Sequence, residues 1–395
     1  MIRSLEGISY VARVRRVSLA VGVLASAGCA AAATWFPAEF YPAYLVAYLF
    51  WLGVALGSWA IAMIHQLTGG AWGLVIRRVL ESAYATMPLL AVLFLPIIAG
   101  MHYLYPWVRP EAANDPVLRE KSLYLNVEFF YVRAAIYFAI WITLPWLLNR
   151  WSAARSPEAE TPRRRWRQLL SGPGLLLYGL TVTFASIDWA MSLEPHWYSS
   201  MYGVIFMAGQ AVSALSLAIV AAVLLADFQP WRQIVSRQRW HDLGNLLLAL
   251  VMFWSYVAFM QYLIVWAGNL PEETPWYVHR SRGGWQYVVL ILMGFHFAVP
   301  FLLLLSRNVK RHTGRLVAVA LWLLVMRWVD LYWLIMPSFY PDGFYLHWLN
   351  LLTPLAIGGL WMAMFAWRLS ARAQLPIYDP QMHEMLDETA RHINA

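Results

Sequence analysis

Cysteine occurs once in the 395 residues, at Cys29. A single thiol excludes a disulfide framework and any iron–sulfur cluster held by this chain alone. There is no Cys-x-x-Cys-His stretch, so no c-type haem attaches here. A phosphate-cradling loop is missing as well. Gly69-Gly70-Ala71-Trp72-Gly73 punctuates a loop but lacks the Lys-Ser/Thr ending. No metal-ligand spacing is present. Charge is scarce: Asp, Glu, Lys and Arg make up 13% of the chain against 61% hydrophobic residues, and mean hydropathy is +0.53. Those values are far too apolar for a soluble protein of this length.

What is present is a series of apolar runs of about 20 residues, the length that crosses a bilayer core. Ten spans are expected, at 17–36, 41–66, 79–104, 126–149, 173–193, 200–226, 244–267, 285–305, 316–336 and 346–369. The fold class is all-α, a polytopic helical membrane protein. The 23 Trp and 21 Tyr cluster near the run ends, as interfacial aromatic belts do.

The net charge of +8 would suit a nucleic-acid binder, but its distribution is that of membrane topology. With the N-terminus inside, 22 of the 29 Lys and Arg fall in cytoplasmic segments, including Arg13, Arg15, Arg16, Arg163, Arg164, Arg165, Lys310 and Arg311. Five fall in periplasmic loops (Arg109, Arg119, Lys121, Arg280 and Arg282), and Arg133 and Arg327 lie inside spans. The positive-inside rule then puts both termini in the cytoplasm of a bacterial inner membrane. The first span also has features of a cleaved signal, since basic residues precede the small-residue run Leu24–Cys29. Ser26, however, stands three before Cys29, where a lipoprotein site wants an aliphatic residue. A retained anchor is the preferred reading.

Between spans, 150–172 is expected to be a mobile cytoplasmic linker lying partly on anionic lipid. The outer loops 105–125 and 268–284 are expected to be ordered, and the tail from Ser370 to Ala395 to be a soluble docking or solvated segment. The organisation is one anchor (1–40), four helices (41–198), four helices (199–345), and a closing helix with tail (346–395). The hinge is Ser186–Gly203, SIDWAMSLEPHWYSSMYG, at the midpoint of the chain. No sequence repeat links the two sets of four.

Ionisable side chains inside a bilayer are costly, so each calls for a partner or a watery cavity. Arg327 lies roughly 16 Å into the ninth helix, and Asp330, three residues on, shares its face. His296 is near the middle of the eighth span and Gln210 of the sixth. Asp188 and Gln261 are in the outer thirds of the fifth and seventh spans. Arg133 is in the outer third of the fourth, with Glu128 above it. One reading takes Arg327–Asp330 and Glu128–Arg133 as pairs that knit helices together. The sharper reading gathers Asp188, His296, Arg327 and Asp330 into one proton-conducting or quinol-facing cluster. His296 also fits a core histidine bonded to a backbone carbonyl. On the inner side, His65, ending the second helix, and Glu81, beside Arg77 and Arg78, form a candidate proton inlet; a solvated helix end with an ordinary salt bridge explains them equally. Haem b normally takes paired histidines at similar depth. His65, His102, His241, His279 and His312 are at span ends or in loops, so a bis-histidine cytochrome is not expected.

Three stretches carry a family likeness: SIDWAMSLEPHWYSSMYG (186–203), GNLPEETPWYVHRSRGGW (268–285) and YLFWLGVALGSWAIAMIHQLTGGAWG (48–73). Over Tyr41–Trp367 the chain resembles the ActF membrane component of alternative complex III, similar in turn to the NrfD-like membrane subunits of polysulfide reductase. The resemblance implies two four-helix bundles, spans 2–5 and 6–9, flanked by spans 1 and 10. It implies a subunit without redox cofactor of a respiratory quinol:cytochrome c oxidoreductase, with a role in support and proton conduction. Quinol, c-type haems and iron–sulfur clusters would belong to the partners. Those are a sister NrfD-like membrane subunit, an iron–sulfur/molybdopterin-like subunit and c-type cytochrome subunits, with lipid around them and a terminal oxidase as a further candidate. A second reading has this chain bind and oxidise quinol itself in a cleft near the outer face, with Asp188 or His196 accepting a proton. A third, a solute transporter, would use broken helices, for which Pro88, Pro96, Pro300 and Pro354 give room.

Overall fold

A computed structural model describes residues 2–152, 157–228 and 235–371. Among these the chain is all-helical, with no strand. Ten helices are long and apolar enough to cross a membrane: α1 (Ser9–Trp35), α2 (Pro37–Thr68), α3 (Ala71–Ala99), α4 (Val127–Trp151), α5 (Pro162–Leu193), α6 (Tyr202–Leu225), α7 (Arg237–Gly268), α8 (Trp285–Leu305), α9 (Thr313–Ser338) and α10 (Leu349–Ser370). Even α8, with 21 residues, reaches about 32 Å at 1.5 Å per residue, enough for a hydrocarbon core. The protein is a multi-pass helical membrane protein. The side carrying 105–125 and 268–284, which the charge pattern expects outside, is called the outer side.

Burial separates centre from rim. Of the apolar window of α2, 89% is buried, and of α6 72%, against 17% for α1. The two central helices cross at Gly57, where a Cβ would run into the backbone carbonyl of Gln210 and the Ala214 side chain. Small residues allow such close approach between helices in lipid. Around this pair, α3, α5 and α10 pack on α2, and α5, α7 and α9 pack on α6. The indole of Trp51 on α2 donates to the carbonyl of Pro354 (3.0 Å), and the Thr353 hydroxyl donates to the carbonyl of Ala43 (3.0 Å). At the rim, α1 lies along α10, with Gly22 and Gly359 in backbone contact.

Three expectations about boundaries change. The apolar run of the third span begins at Val79, but the helix starts at Ala71. Arg77, Arg78 and Glu81 are therefore inside the protein. This span breaks after Tyr84 and after Val92, just ahead of Pro88 and Pro96. Each ring lacks an amide hydrogen and clashes with the carbonyl four residues back. The segment 150–172 is not a loose linker over its described part. Pro157–Trp189 is one helix continuous with α5, and the buried Arg167 ties it down by donating to the carbonyl of Trp151 (2.8 Å). Residues 153–156 of that segment, and the tail beyond Ala371, lie outside the described residues.

The outer loops carry short helical turns, Pro106–Val108, Pro110–Asn114, Pro116–Glu120 and Lys121–Leu123 in one and Thr274–His279 in the other. Gly283 and Gly284 both take positive φ, 59° and 99°, which an L side chain adopts only with strain. They turn the chain into α8, and the Gly283 carbonyl accepts from the amide of Phe344 (2.7 Å).

Candidate functional site

The buried polar residues fall into separate groups. In the outer half of α4 and α5, Arg133 donates through Nε to Asp188 Oδ2 (2.9 Å), and the Tyr137 hydroxyl donates to the same oxygen (2.8 Å). Arg133 also donates from Nη1 to the carbonyl of Tyr124 (2.8 Å), and its guanidinium lies over the Tyr124 and Phe129 rings at 4.0 and 4.5 Å. Arg133 and Asp188 are both nearly inaccessible. Glu128 is exposed and makes no ion pair among the described residues. The expected Glu128–Arg133 pair is thus replaced by Arg133–Asp188. A spacing of five puts 128 and 133 about 140° apart around a helix.

A second group lies between α6, α7, α8 and α9. Arg327 and Asp330 form the expected ion pair one turn apart on α9. The indole of Trp254 on α7 donates to the same Asp330 oxygen, Oδ2 (3.2 Å). The His296 ring lies against that indole, with centroids 3.9 Å apart and the planes tilted by 36°. The guanidinium of Arg327 fills the space that Gly209 leaves by having no side chain, and it faces the Phe206 ring. His296 is fully buried, and neither ring nitrogen has a hydrogen-bond partner among the described residues. That corrects the reading of a core histidine bonded to a carbonyl. His296 sits in a π-helical turn, Leu292–Ala298, ahead of Pro300, a distortion of the kind that often marks a functional position.

The single expected cluster is therefore two. Asp188 belongs with Arg133 and Tyr137 in the first set of helices, whereas His296, Arg327 and Asp330 meet around Trp254 in the second. Gln210 lies near the α2–α6 crossing, where its Oε1 accepts from the Tyr178 hydroxyl (2.8 Å). Gln261 accepts from Ser199 Oγ (2.6 Å), tying α7 to the midpoint junction.

On the inner side, Glu81 is held by Arg77 (3.0 Å), Arg78 and Ser152, and Asn149 Nδ2 donates to its backbone carbonyl (3.4 Å). Glu81, Arg77 and Arg78 are all buried, so the group is not a solvated helix end. His65 is buried too, with Nε2 3.0 Å from the carbonyl of Gly70 and its ring edge-on to Trp72.

Sequence reasoning missed one group. Glu194, in the junction, pairs with Arg280 of the outer loop (2.7 Å) and accepts from the Ser338 hydroxyl (2.7 Å). Arg280, 1% exposed, also donates to the carbonyl of Leu334 (2.9 Å) and covers the face of Trp276 at 3.7 Å. Trp276 in turn stacks on Trp197 at 4.7 Å. The signal was an arginine in a loop otherwise poor in positive charge, which reads as solvated until its partners are seen. Nearby, His196 Nε2 lies 2.8 Å from Asp115. Burial pushes that carboxyl up, but the amides of Leu118 and Val117 and the imidazole of His196 outweigh it and hold it below the ordinary carboxylate value.

Beside the second group is a cleft of about 1610 Å³, bounded by α7, α8, α9 and the Thr274–His279 helix. The helices α7 and α8 pack together through Val299–Leu305 and part toward the outer side. Tyr256, Leu290 and Met293 on its walls are exposed, so it opens sideways. Its lining is aromatic and aliphatic, with Asp330 in the wall. Among the described residues, no three His, Cys, Asp or Glu side chains converge as a metal site would require. A scan against protein-family models and a search of curated proteins gave no match to this chain.

Proposed function

We propose that the chain is an integral membrane subunit of a respiratory quinol:electron-acceptor oxidoreductase of the alternative complex III kind. It holds no redox group of its own and contributes structure and proton-handling groups. It assembles with a sister NrfD-like membrane subunit, an iron–sulfur/molybdopterin-like subunit and c-type cytochromes, in a bacterial inner membrane with both termini cytoplasmic. One observation carries the reading: two of the three stretches behind the family likeness, 186–203 and 268–285, meet in space. Glu194–Arg280 and the Trp197–Trp276 stack bind them into one cap on the outer side. A cap pinned by a buried arginine is a rigid platform, as docking of extracytoplasmic subunits requires. The buried Arg327–Asp330–Trp254–His296 group supports the proton-handling part, since acid and imidazole at mid-span are costly unless they have a use or a partner.

The test is purification of the tagged full chain from its native membranes in mild detergent. The expected result is co-purification with haem-bearing subunits and with quinol-dependent reduction of an acceptor, the haem bands migrating with other polypeptides. Purification without any redox partner would refute the reading. Orientation is tested by single-cysteine labelling with an impermeant reagent in intact cells. Positions 271–282 should label and positions 163–167 should not; the reverse pattern removes the assigned topology.

A further inference from the structure

We infer that the cleft between α7, α8 and α9 seats one zwitterionic phospholipid of the outer leaflet, its headgroup at the mouth by Asn269 and Thr274 and its chains running inward along α8. The inference goes beyond the proposed function and does not depend on it. It needs only the membrane-spanning fold and the shape and polarity of the cleft.

Depth sets the class of occupant. From Gln286 to Ala298 the lining follows α8 for about 18 Å at 1.5 Å per residue, close to the roughly 15 Å of one leaflet of a hydrocarbon core. At its inner end the cleft is shut, because α7 packs on Val299–Leu305. A helix from another protein crosses both leaflets and would meet that closure halfway. A lipid is one leaflet deep, and the sideways opening past Leu290 and Met293 admits it. The volume of about 1610 Å³ exceeds the roughly 300–1,000 Å³ of ordinary small-molecule pockets, which suits an amphiphile with two chains.

Polarity sets its direction. Asn269, Thr274, Tyr262 and Tyr277 line the outer half, and none of these side chains makes a hydrogen bond to a described residue. Tyrosine at headgroup level is the usual interfacial arrangement. Deeper, the polar groups already have partners. Ser255 donates to the carbonyl of Met252 (3.0 Å), and Asp330 accepts from Arg327 and Trp254. Tyr256 keeps a free hydroxyl, but at the exposed rim. Between these the wall is apolar, with Phe259, Leu292 and Phe297. The cleft thus offers unused polar groups at the outer end and hydrocarbon below, the order in which an outer-leaflet lipid presents itself.

Charge at the mouth selects the headgroup. Glu272 and Glu273 precede Thr274, and Arg282 follows Ser281, which is also in the lining. A mouth with both signs suits a phosphate joined to an ammonium. The two carboxylates oppose a headgroup of net negative charge, and one charge near the membrane surface is enough for about a fivefold preference.

The experiment uses the full chain, in whatever assembly it purifies, in phosphatidylglycerol nanodiscs. The probes are phosphatidylethanolamine and phosphatidylglycerol, each with a diazirine at the middle of one acyl chain. The ethanolamine probe should cross-link within 252–266 and 289–298, about fivefold above the phosphatidylglycerol probe. It should also exceed its own labelling of the lipid-exposed face of α5 at 176–184, where Leu176, Leu180 and Phe184 point outward. Gly294 lines the cleft, and a Cβ built on it meets no atom within 4 Å. Gly294→Phe therefore puts a ring in the lipid's place. It should lower cleft labelling at least about fivefold, as overpacking does, with α5 labelling unchanged. A second variant is independent of the cleft interior: Glu272→Lys combined with Glu273→Lys should turn the preference toward phosphatidylglycerol. Cleft labelling no stronger than that of α5 would mean surrounding lipid only and overturn the inference. So would labelling that Gly294→Phe leaves unchanged, equal labelling by both probes whatever stands at 272 and 273, or displacement of the probe by decylubiquinol. A chain that purifies without redox partners but carries the labelled cleft keeps the site and removes the proposed function.

Discussion

Arg133 is paired with Asp188, 55 residues away on the neighbouring helix, and not with Glu128 five residues before it on its own. The pairing makes α4 and α5 one electrostatic unit. Asp188 takes two donors on one oxygen while Arg133 lies against the Tyr124 and Phe129 rings. Removing one partner of a buried pair leaves the other charge without compensation, a loss of about 3–5 kcal/mol. Asp188→Asn should therefore lower the thermal stability of the purified chain sharply, and Tyr137→Phe by less, about 1.5–3 kcal/mol for one bond to a charged acceptor. Glu128→Gln should be silent. A melt in which Glu128→Gln matches Asp188→Asn would show that the pairing is wrong.

Asp330→Asn separates structure from proton handling in the second group. Asn still accepts from Trp254 but carries no charge for Arg327, whose exposure to mid-bilayer costs roughly 3 kcal/mol or more. If the pair is structural, assembled complex falls while the surviving fraction keeps its proton release per electron. If Asp330 passes protons, assembly persists and the ratio drops, because Asn cannot take up and release a proton. Proteoliposome measurements of proton release beside quinol oxidation distinguish the two.

The central crossing is a packing prediction. Gly57→Leu pushes a side chain into the backbone of Gln210, and overpacking of this kind costs about 1–3 kcal/mol. Gly179→Ala on α5 is the control, because its Cβ meets nothing within 4 Å. Melting temperatures of the two variants should differ by several degrees; equal values would mean that α2 and α6 do not cross at Gly57.

On the outer side, acid should loosen one contact. Asp115 caps Pro116–Glu120 by accepting from the amides of Val117 (2.9 Å) and Leu118 (3.4 Å), and it faces His196. Its carboxyl is held below the ordinary value of 3.8. A depressed carboxyl contributes stability that is present above its unfolded value and lost as pH falls through the folded one. Amide exchange at 117 and 118, corrected for intrinsic rates, should therefore rise as pH drops below 3.8, and Asp115→Asn should flatten that dependence. Protection that is the same at pH 3 and pH 6 would contradict it.

The ten spans were legible because length and hydropathy alone decide them. Arg327–Asp330 was legible because two opposite charges three residues apart share a helix face whatever surrounds them. Partners from other helices were not. Nothing local in SIDW points to Arg133, and nothing in PEETPWYVHR points to Glu194. Glu81 was placed at a helix end because the apolar run starts at Val79. In the fold, Arg77 and Arg78 pair with it and Ser152 donates a hydrogen bond to it, and the helix begins eight residues sooner, at Ala71. The cleft had no signature in the sequence, because it arises from the divergence of two ordinary apolar helices.

The contact between Gly22 and Gly359 has a bearing on how the chain is made. The seat of α1 is mainly α10, the latest in chain order of the ten spanning helices among the described residues. Through synthesis of the eight helices between, α1 waits in lipid without its main neighbour. The earliest of these ten helices thus finds its main neighbour only when the tenth has entered the membrane.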